Sequence, residues 1–450
     1  MIIYAFCLLC YQETFARAGG GGGHSSGGGH SSGGGYGGGG YSGGGGDSGI
    51  IIIIIIIVFV VVISLKKNKK LPGNGNAYSE NNLSESSTEL PEGLTNEKIG
   101  AAFLSIQEAW QNKDLKKVRK WISDGVYQRF NAQFEMMNKL SQVNKLSNIN
   151  IDGISIVSTN NDGNYQTADA AVSFTMDDEF ISDKYPSFNQ KYRGESAMEY
   201  WTFIKRHDAQ TGKNLYDNNN CPNCGAPFEI SMGEISRCGG CGTLTNNASY
   251  DWVLSEITQE DDYNEGSSFS KKEDLQELTK NDDLFSIQRI EDVASNIFMQ
   301  IMEVMSGQPE KILTRFSDEE TMNQILKDKK ESGDFVFDRL YLNCVDLYDF
   351  YTDETKLNLN FYLRASYQRV QAGQKLKLID EEMITQTYEM VLSKNSKALQ
   401  TAEKETVFSY ECAKCGAPYS DTTNDVCEYC RAPLIDFNRN WVLTYFKMVG

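Results

Sequence analysis

The chain has 450 residues, of which 40% are hydrophobic and 23% are charged, and its formal net charge at pH 7 is −18. This length excludes a single small module and predicts two folded domains with additional segments. The acidic balance disfavours a protein that binds nucleic-acid phosphates, and only three histidines, two of them in a glycine tract, disfavour a mechanism built on several histidines.

The amino-terminal part predicts a signal peptide followed by a flexible tether. Residues 1–18 combine an apolar stretch with a small-residue cleavage site at Ala16-Arg17-Ala18, although no basic residue precedes the apolar stretch, so an uncleaved segment is the alternative. Residues 19–48 contain nineteen of the 40 glycines between Gly19 and Gly46. Such a tract has nothing to bury and is typical of a flexible linker, here predicted to lie outside the cytoplasm.

Residues 49–65 predict a transmembrane helix. They include eight consecutive isoleucines, Ile50 to Ile57, and the sixteen residues from Ile50 to Leu65 would span about 24 Å as a helix. A hydrocarbon layer of about 30 Å is only slightly thicker. A lysine cluster follows directly, whereas the preceding fifty residues carry only Arg17, so the charge distribution places the rest of the chain in the cytoplasm. The chain is therefore expected to be a single-pass protein of the cell membrane.

The cytoplasmic part contains a duplicated segment. Residues 66–92 and the acidic residues 259–284 have linker composition, and they delimit two predicted domains at 93–258 and 285–450. Both domains contain a cysteine-rich segment followed by a Trp-Val-Leu motif. Cys221 and Cys412 are 191 residues apart, and Trp252 and Trp441 are 189 apart, so the spacing of the two copies agrees within two residues. We expect the two domains to fold independently.

Each copy begins with helical periodicity and continues with a period of two. In the first copy, helices are predicted at the start, around residues 115–121 and around residues 125–140, and Ser317 with Glu320 forms a capping-box pattern in the second copy. Alternating strands then flank Asn161-Asp162-Gly163, a strong hairpin signal. The last strand of each copy begins at the shared tryptophan. Both copies are therefore predicted to be α+β, with helices followed by an antiparallel sheet.

Eight of the eleven cysteines form two quartets, each made of two C-x-x-C pairs. Thirteen residues separate the pairs of the first quartet, and eleven separate those of the second. This pattern is typical of four thiolates arranged around tetrahedral zinc. The candidate metal ligands are Cys221, Cys224, Cys238 and Cys241 in the first quartet, and Cys412, Cys415, Cys427 and Cys430 in the second.

Glycine follows the second cysteine of three pairs, at Gly225, Gly242 and Gly416, where it permits a tight turn, but Arg431 occupies the fourth such position. The alternatives are disulfides, which the predicted reducing compartment disfavours, and a redox site, which two pairs per module fit less well. We predict two Zn²⁺ per chain, in zinc ribbons at residues 221–241 and 412–430. Four thiolates leave no position for water, so both zincs are expected to be structural.

Four other features have ordinary structural interpretations. Cys344 lies in an alternating run and is expected to be a buried small residue, and His207 ends a strand and is expected at the surface. Trp252 and Trp441 are expected to anchor the final strands, with ligand stacking as the alternative. The basic stretch from Lys113 to Lys120 alternates with apolar residues, which favours an amphipathic helix with a solvated face over a contact with anionic lipid.

These residues resemble a known family. The segment YWTFIKR, the CPNCGAP quartet and DWVLSEI resemble bacterial relatives of the forty-four-kilodalton subunit of the mitochondrial inner-membrane import translocase. The resemblance covers Glu92 to Ile257 well and Phe285 to Val449 more loosely. It implies two tandem cone-shaped domains, like nuclear transport factor two, each with an inserted zinc ribbon, in a protein that faces a membrane or binds a partner. The mitochondrial member recruits a seventy-kilodalton chaperone and contacts cardiolipin, but no segment here matches a chaperone-binding motif.

The function predicted from these features is a membrane-anchored zinc-binding scaffold, not an enzyme. It would bind a protein or membrane-lipid partner at the cytoplasmic face, in protein transport or membrane-protein assembly, with chaperone or translocation machinery as partners by analogy alone. The alternative is a small-molecule-binding or enzymatic pocket, for which Asp169 or Asp346 could serve, although no motif selects them. Nucleic-acid binding by the zinc ribbons is disfavoured by the acidic charge.

Overall fold

The computed structural model describes residues 90–210, 212–228, 235–263, 269–396, 426–432, 437 and 440–449. Within the first half, two helices precede four strands. They are α1 (Asn96–Asn112), α2 (Asp124–Lys139), β1 (Gln142–Asp162), β2 (Tyr165–Ser182), β3 (Gln190–Arg206) and β4 (Val253–Gln259).

The second half also places its helices before its strands, with one additional helix and one additional short strand. Its helices are α3 (Lys272–Thr279), α4 (Ile287–Met305) and α5 (Glu319–Ser332), and its strands are β5 (Val336–Thr352), β6 (Lys356–Gln371), β7 (Lys377–Leu378), β8 (Ile384–Asn395) and β9 (Val442–Val449). The helix α3 lies within residues 259–284, the stretch that the sequence marks as an acidic linker, and its Leu275 is fully buried.

Two antiparallel sheets organise the described residues. The first has the strand order β1-β2-β3-β4, and the second has the order β5-β6-β8-β9 with the short β7 paired to β6. The hairpin predicted at Asn161-Asp162-Gly163 is confirmed, because Asp162 pairs with Tyr165 across the turn. Gly163 has a φ of 62°, which glycine adopts readily. The predicted α+β class is confirmed.

Polar side chains cap the helices where the sequence changes from loop to helix. Ser123 caps α2 by accepting a hydrogen bond from the amide of Val126. In α5 the cap is Asp318, which accepts from the amide of Thr321, so the capping box predicted at Ser317 and Glu320 was displaced by one residue. A carboxylate serves this position as well as a hydroxyl does.

The helix predicted around residues 115–121 is wrong, because this segment forms a series of turns. Helix α1 ends at a left-handed Lys113, and the Asp114 carboxylate then accepts a hydrogen bond from the amide of Lys116. Arg119 is fully buried, and its guanidinium donates to the carbonyl of Ile122. Local side-chain to backbone hydrogen bonds of this kind compete with helix formation.

The core of the first half is filled with aromatic side chains. The ring of Phe103 on α1 lies 4.7 Å from that of Phe174 on β2 and 5.5 Å from that of Trp201 on β3. All three side chains are at most 1% exposed. This packing closes the space between the helices and the first sheet.

The two halves share a large contact made by α2 and α4. Ala132 and Met136 of α2 belong to the same buried apolar cluster as Ile297 of α4 and Leu342 of β5. The halves are therefore packed against each other, and the expectation that they fold independently stays a prediction.

Polar bonds also cross the α2–α4 contact. The Gln128 amide donates to Glu303 at 2.6 Å, and the Arg129 guanidinium donates to the Ser295 hydroxyl at 2.7 Å. Such bonds satisfy polar groups that the contact removes from water.

Several predictions concern residues outside the described part of the chain. These are the signal peptide at 1–18, the tether at 19–48, the transmembrane helix at 49–65 and all but the last residues of the linker at 66–92. Within the described ranges, the structure has no helix that is long and apolar enough to span a membrane.

Candidate metal centre

The first cysteine quartet lies on two tight turns in the connection between β3 and β4. The amide of Gly225 donates to the carbonyl of Cys221 at 2.9 Å, and the amide of Gly242 donates to the carbonyl of Cys238 at 2.8 Å. Each turn is closed by a bond from its first cysteine, from the amide of Cys221 to Ala226 and from that of Cys238 to Thr243. The two halves of the quartet therefore have the same backbone construction.

The four sulfur atoms converge on one point. All lie within 4.8 Å of one another, and the Cys221–Cys241 and Cys224–Cys238 sulfur pairs are separated by 3.7 Å and 3.8 Å. Four sulfurs at about 2.3 Å from a tetrahedral zinc would be about 3.8 Å apart, whereas a disulfide needs about 2.05 Å. The arrangement could hold one metal ion and contains no disulfide.

Backbone conformation explains the glycines of these turns. Gly225 and Gly242 both have a φ of 74°, a left-handed value that disfavours residues with a side chain. No atom lies within 4 Å of a hypothetical side-chain carbon at either position. Glycine is therefore required here by the backbone conformation and not by a lack of space.

Hydrogen bonds prepare the sulfur of Cys241 to be a thiolate. The hydroxyl and amide of Thr243 and the side-chain amide of Asn223 lower the pKa of Cys241 to about 6. Burial raises the pKa of Cys221 to about 12. The quartet thus has two buried sulfurs, Cys221 and Cys238, and two exposed ones, Cys224 and Cys241, which is the layout of a site at the edge of a domain.

The turns dock on the basic segment that follows α1. The ammonium of Lys120 donates to the carbonyl of Asn218 at 2.8 Å and to the side chain of Asn219 at 3.0 Å. The Ser236 hydroxyl donates to the carbonyl of Arg119. The predicted helix is wrong, and Arg119 and Lys120 are buried, whereas Lys116 and Lys117 are exposed. The Lys120 ammonium and the backbone carbonyl of Arg119 hold the cysteine turns in place.

The second quartet is described only at its last pair. The amide of Arg431 donates to the carbonyl of Cys427 at 2.9 Å, and the amide of Cys427 donates to Ala432 at 2.8 Å, as in the turns of the first quartet. Arg431 has a φ of 59°, so it adopts the conformation that glycine adopts elsewhere. Cys412 and Cys415 lie outside the described residues, and Cys430 is half-buried.

The other residues singled out by sequence occupy the predicted environments with one exception. Trp252 is fully buried and donates to the carbonyl of Glu92 at 3.0 Å, Trp441 is 6% exposed, and His207 is exposed. Cys344 is half-buried instead of fully buried, and desolvation raises the pKa of its thiol.

Sequence reasoning missed a group of acidic residues between the two halves. Asp292 of α4 accepts hydrogen bonds from the Ser123 hydroxyl and from the amide of Gly125, at the start of α2. Desolvation raises its pKa to about 7. The neighbouring Glu291 is half-buried, and desolvation raises its pKa as well. The available signal was the pair Glu291-Asp292 in a helix that is rich in apolar residues.

The structure does not bring together the carboxylates considered for an enzymatic site. Asp169 on β2 accepts hydrogen bonds from Thr202 and from the hydroxyl of Tyr263, and burial raises its pKa. Asp346 is exposed on β5 of the other sheet. A cavity of about 50 Å³ lies beside Asp292, and another of about 20 Å³ lies beside Arg129. Ligand pockets are usually ~300 Å³ or larger.

The fold and the quartet define an α+β domain that carries a four-cysteine cluster before its last strand. Residues 95–214 match the family model described as Tim44-like domain. This match confirms the resemblance to relatives of the translocase subunit, and the chain contains a Tim44-like domain. The matched region covers α1, α2 and β1 to β3 and ends before Cys221. The searches of curated proteins and of solved structures gave no match.

Proposed function

We propose that the protein is a membrane-anchored zinc-binding scaffold that acts in protein transport or membrane-protein assembly. It would present two cone-shaped domains, residues 93–258 and 285–450, to a protein or lipid partner at the cytoplasmic face of the cell membrane. The observation that carries this proposal is the Tim44-like match at residues 95–214. The family match relates this domain to protein translocation. The partner of this chain is our proposal.

The filled interior of the first half supports a surface-binding role without catalysis. Phe103, Phe174 and Trp201 fill the space between α1 and the first sheet. The candidate carboxylates Asp169 and Asp346 belong to different sheets. A pocket with convergent titratable groups, which the enzymatic alternative requires, is not formed by these residues.

Zinc is the metal that we propose for the cysteine quartets, with two ions per chain. Four thiolates suit zinc among the common metals, and the sulfur separations of 3.7 Å and 3.8 Å fit its tetrahedral geometry. A zinc ion with four thiolate ligands has no open coordination position, so it would only cross-link the chain. In the first half it would fix the connection between β3 and β4 against the segment around Lys120.

Membrane attachment is assigned to residues 49–65, with the lysine cluster Lys66, Lys67, Lys69 and Lys70 on the cytoplasmic side. The glycine-rich residues 19–48 would then lie outside. We propose that the exposed face of α1 contributes to the partner-binding surface. Leu104, which is 47% exposed, is on this face.

The membrane part of the proposal is tested by carbonate extraction of native membranes. We expect the full chain to stay in the membrane pellet and a variant lacking residues 49–65 to be released. Extraction of the full chain by carbonate would contradict the anchor.

The scaffold part is tested by a photoreactive amino acid placed at Leu104, with Leu278 on α3 as the matched control. Leu278 is 48% exposed, so the two probes are equally accessible. We expect one discrete adduct with a lipid or a membrane protein from position 104 and none from position 278. Equal labelling from both positions, or none from 104, would contradict a partner surface on α1.

A further inference from the structure

The last strands of the two halves occupy equivalent positions but have different surroundings. The shared tryptophans align β4 with β9, so that Ile257 corresponds to Phe446 and Glu256 to Tyr445. In β4 every residue except Glu256 is buried. In β9 Tyr445 is 41% exposed and Met448 is 56% exposed.

Side chains from both halves of the chain cover the outer edge of β4, Arg129 from the first and Gln288 from the second. The Arg129 guanidinium on α2 donates to the carbonyl of Ile257 and, at 2.9 Å, to the carboxylate of Glu256. Gln288 on α4 reaches Ser255. The pair Ser123-Asp124 aligns with Ser317-Asp318, so the residue of the second copy that corresponds to Arg129 is Asn323 on α5, which is exposed. The side chain that covers β4 is thus replaced by a short one at β9.

The backbone geometry identifies which groups of β9 face outward. The outer edge of both strands is hydrogen-bonded in the same way near its start. The amide of Leu254 donates to the carbonyl of Trp121, and the amide of Leu443 donates to the carbonyl of Phe316. A β-bulge follows in each strand. The register of β4 shifts opposite Thr202 and Phe203 of β3, and the register of β9 shifts opposite Val391 and Leu392 of β8. After the bulge the carbonyl of Ile257 faces outward to Arg129, so the equivalent Phe446 backbone faces outward as well.

An open strand edge of this kind pairs readily with another strand. In the described part of the chain, nothing pairs with β9 on its outer side beyond Leu443. Lys447 is the single charged residue of the strand.

We propose that β9 pairs antiparallel with β9 of a second copy, about a two-fold axis at Phe446. In this register Tyr445 lies opposite Lys447 of the second copy, an aromatic and cation pair that occurs twice by symmetry. The two Phe446 residues face each other on the core side, where each packs near Phe298 and Tyr388 of its own chain. The result is one antiparallel sheet that continues across a closed dimer.

The neighbouring registers are unfavourable. An axis at Lys447 would place the two lysines directly opposite each other, which is repulsive. An axis at Tyr445 would place Lys447 opposite Leu443, whose outer edge is already bonded to residues 316–318. The axis at Phe446 is therefore the self-complementary one.

The test is sedimentation equilibrium of the purified full-length chain over a concentration series. We expect a monomer–dimer equilibrium that Tyr445→Lys weakens by about tenfold, because it creates two lysine–lysine pairs. The double variant Tyr445→Lys, Lys447→Glu restores dimerisation by making those pairs opposite in charge. Tyr351→Lys, at a 51% exposed tyrosine of β5, is the matched control and leaves the equilibrium unchanged.

Three results would overturn the proposal. They are a monomer at every concentration, a dimer that Tyr445→Lys does not weaken, and a double variant no better than the single one. A dimer formed through the amino-terminal segment instead of β9 would not be weakened by Tyr445→Lys, which is the second of these results. Near-ultraviolet circular dichroism of each variant confirms that the fold is retained, so that a loss of dimer is assigned to the edge.

Discussion

Asp292 is a carboxylate of one half of the chain that caps a helix of the other half. It accepts hydrogen bonds from the Ser123 hydroxyl at 2.5 Å and from the Gly125 amide at 3.0 Å. Gly125 must lack a side chain, because a carbon added there would be 2.6 Å from the Asp292 carbonyl oxygen. Ser123, Gly125 and Asp292 therefore form one contact between the two halves.

The pKa of Asp292 makes this contact sensitive to pH. Its pKa is raised to about 7, chiefly by desolvation and also by Asp124, against the lowering effects of Ser123, Gly125 and Arg129. An unfolded aspartate has a pKa near ~3.9, so between about pH 4 and pH 7 the folded chain binds the proton more tightly. The resulting stability is present below pH 4 and is lost as the pH rises through 7.

We predict that Asp292→Asn flattens this pH dependence. The asparagine oxygen can still accept from Ser123 and Gly125, but it carries no proton to lose. Denaturant unfolding of the full chain between pH 5 and pH 8 should show a smaller loss of free energy of unfolding in the variant than in the wild type. Asp346→Asn, at an exposed carboxylate, is the control and should keep the wild-type slope. Parallel slopes for wild type and Asp292→Asn would contradict the assignment.

This contact could not be predicted from the sequence. Ser123 and Asp292 are 169 residues apart, and an acidic residue in a helix is ordinarily exposed to solvent. The same reason hid the role of Arg119 and Lys120, which a basic stretch suggests are solvated but which are buried. Burial of a charge depends on which distant element packs against it.

At the scale of elements, the cysteine turns are short units whose order depends on their contacts. The two turns of the first quartet share the same hydrogen bonds and the same glycine conformation at Gly225 and Gly242. Beyond their own bonds, they are held by Lys120 and by the bond from Ser236 to Arg119. A metal at the four sulfurs would join the turns to each other.

We predict that Cys221→Ser loosens this connection locally. The amides of Cys238 and Thr245 are bonded within the second turn, to Thr243 and Ser236, and their hydrogen exchange should accelerate by roughly tenfold or more in the variant. Cys344→Ser, which removes a half-buried cysteine outside both quartets, is the control and should not change exchange at these amides. Unchanged exchange in Cys221→Ser would show that no metal orders the turns.

Sequence was informative about elements where a single local pattern determined them. The C-x-x-C spacing predicted the converging sulfurs of Cys221, Cys224, Cys238 and Cys241, and alternation with Asn161-Asp162-Gly163 predicted the first hairpin. The helix expected at residues 115–121 failed because apolar periodicity over one or two turns does not exclude turns stabilised by Asp114. Arg431 showed that the turn can form without glycine.

At the scale of the whole molecule, the duplicated halves are not separate bodies. Ala132 and Met136 of the first half lie in the apolar cluster that forms the core of the second, beside Ile297. Loss of either half would therefore expose apolar surface on the other, so unfolding of the two is expected to be coupled. The sequence shows the duplication through its 189- and 191-residue spacings, but not which faces of the copies meet.

The duplication also explains the asymmetry of the two outer strands. In the first copy Arg129, which is bonded to Ser295 of the second copy, covers β4, whereas within the described residues the second copy leaves β9 open. A scaffold built from such copies would have one internal contact and one external one.

The central claim is that each quartet binds one zinc. It is tested most directly by elemental analysis and X-ray absorption spectroscopy of the full-length chain, purified under reducing conditions. We predict two zinc ions per chain, each surrounded by four sulfurs at about 2.3 Å. A zinc content near zero, together with disulfides among the eight cysteines, would contradict the account.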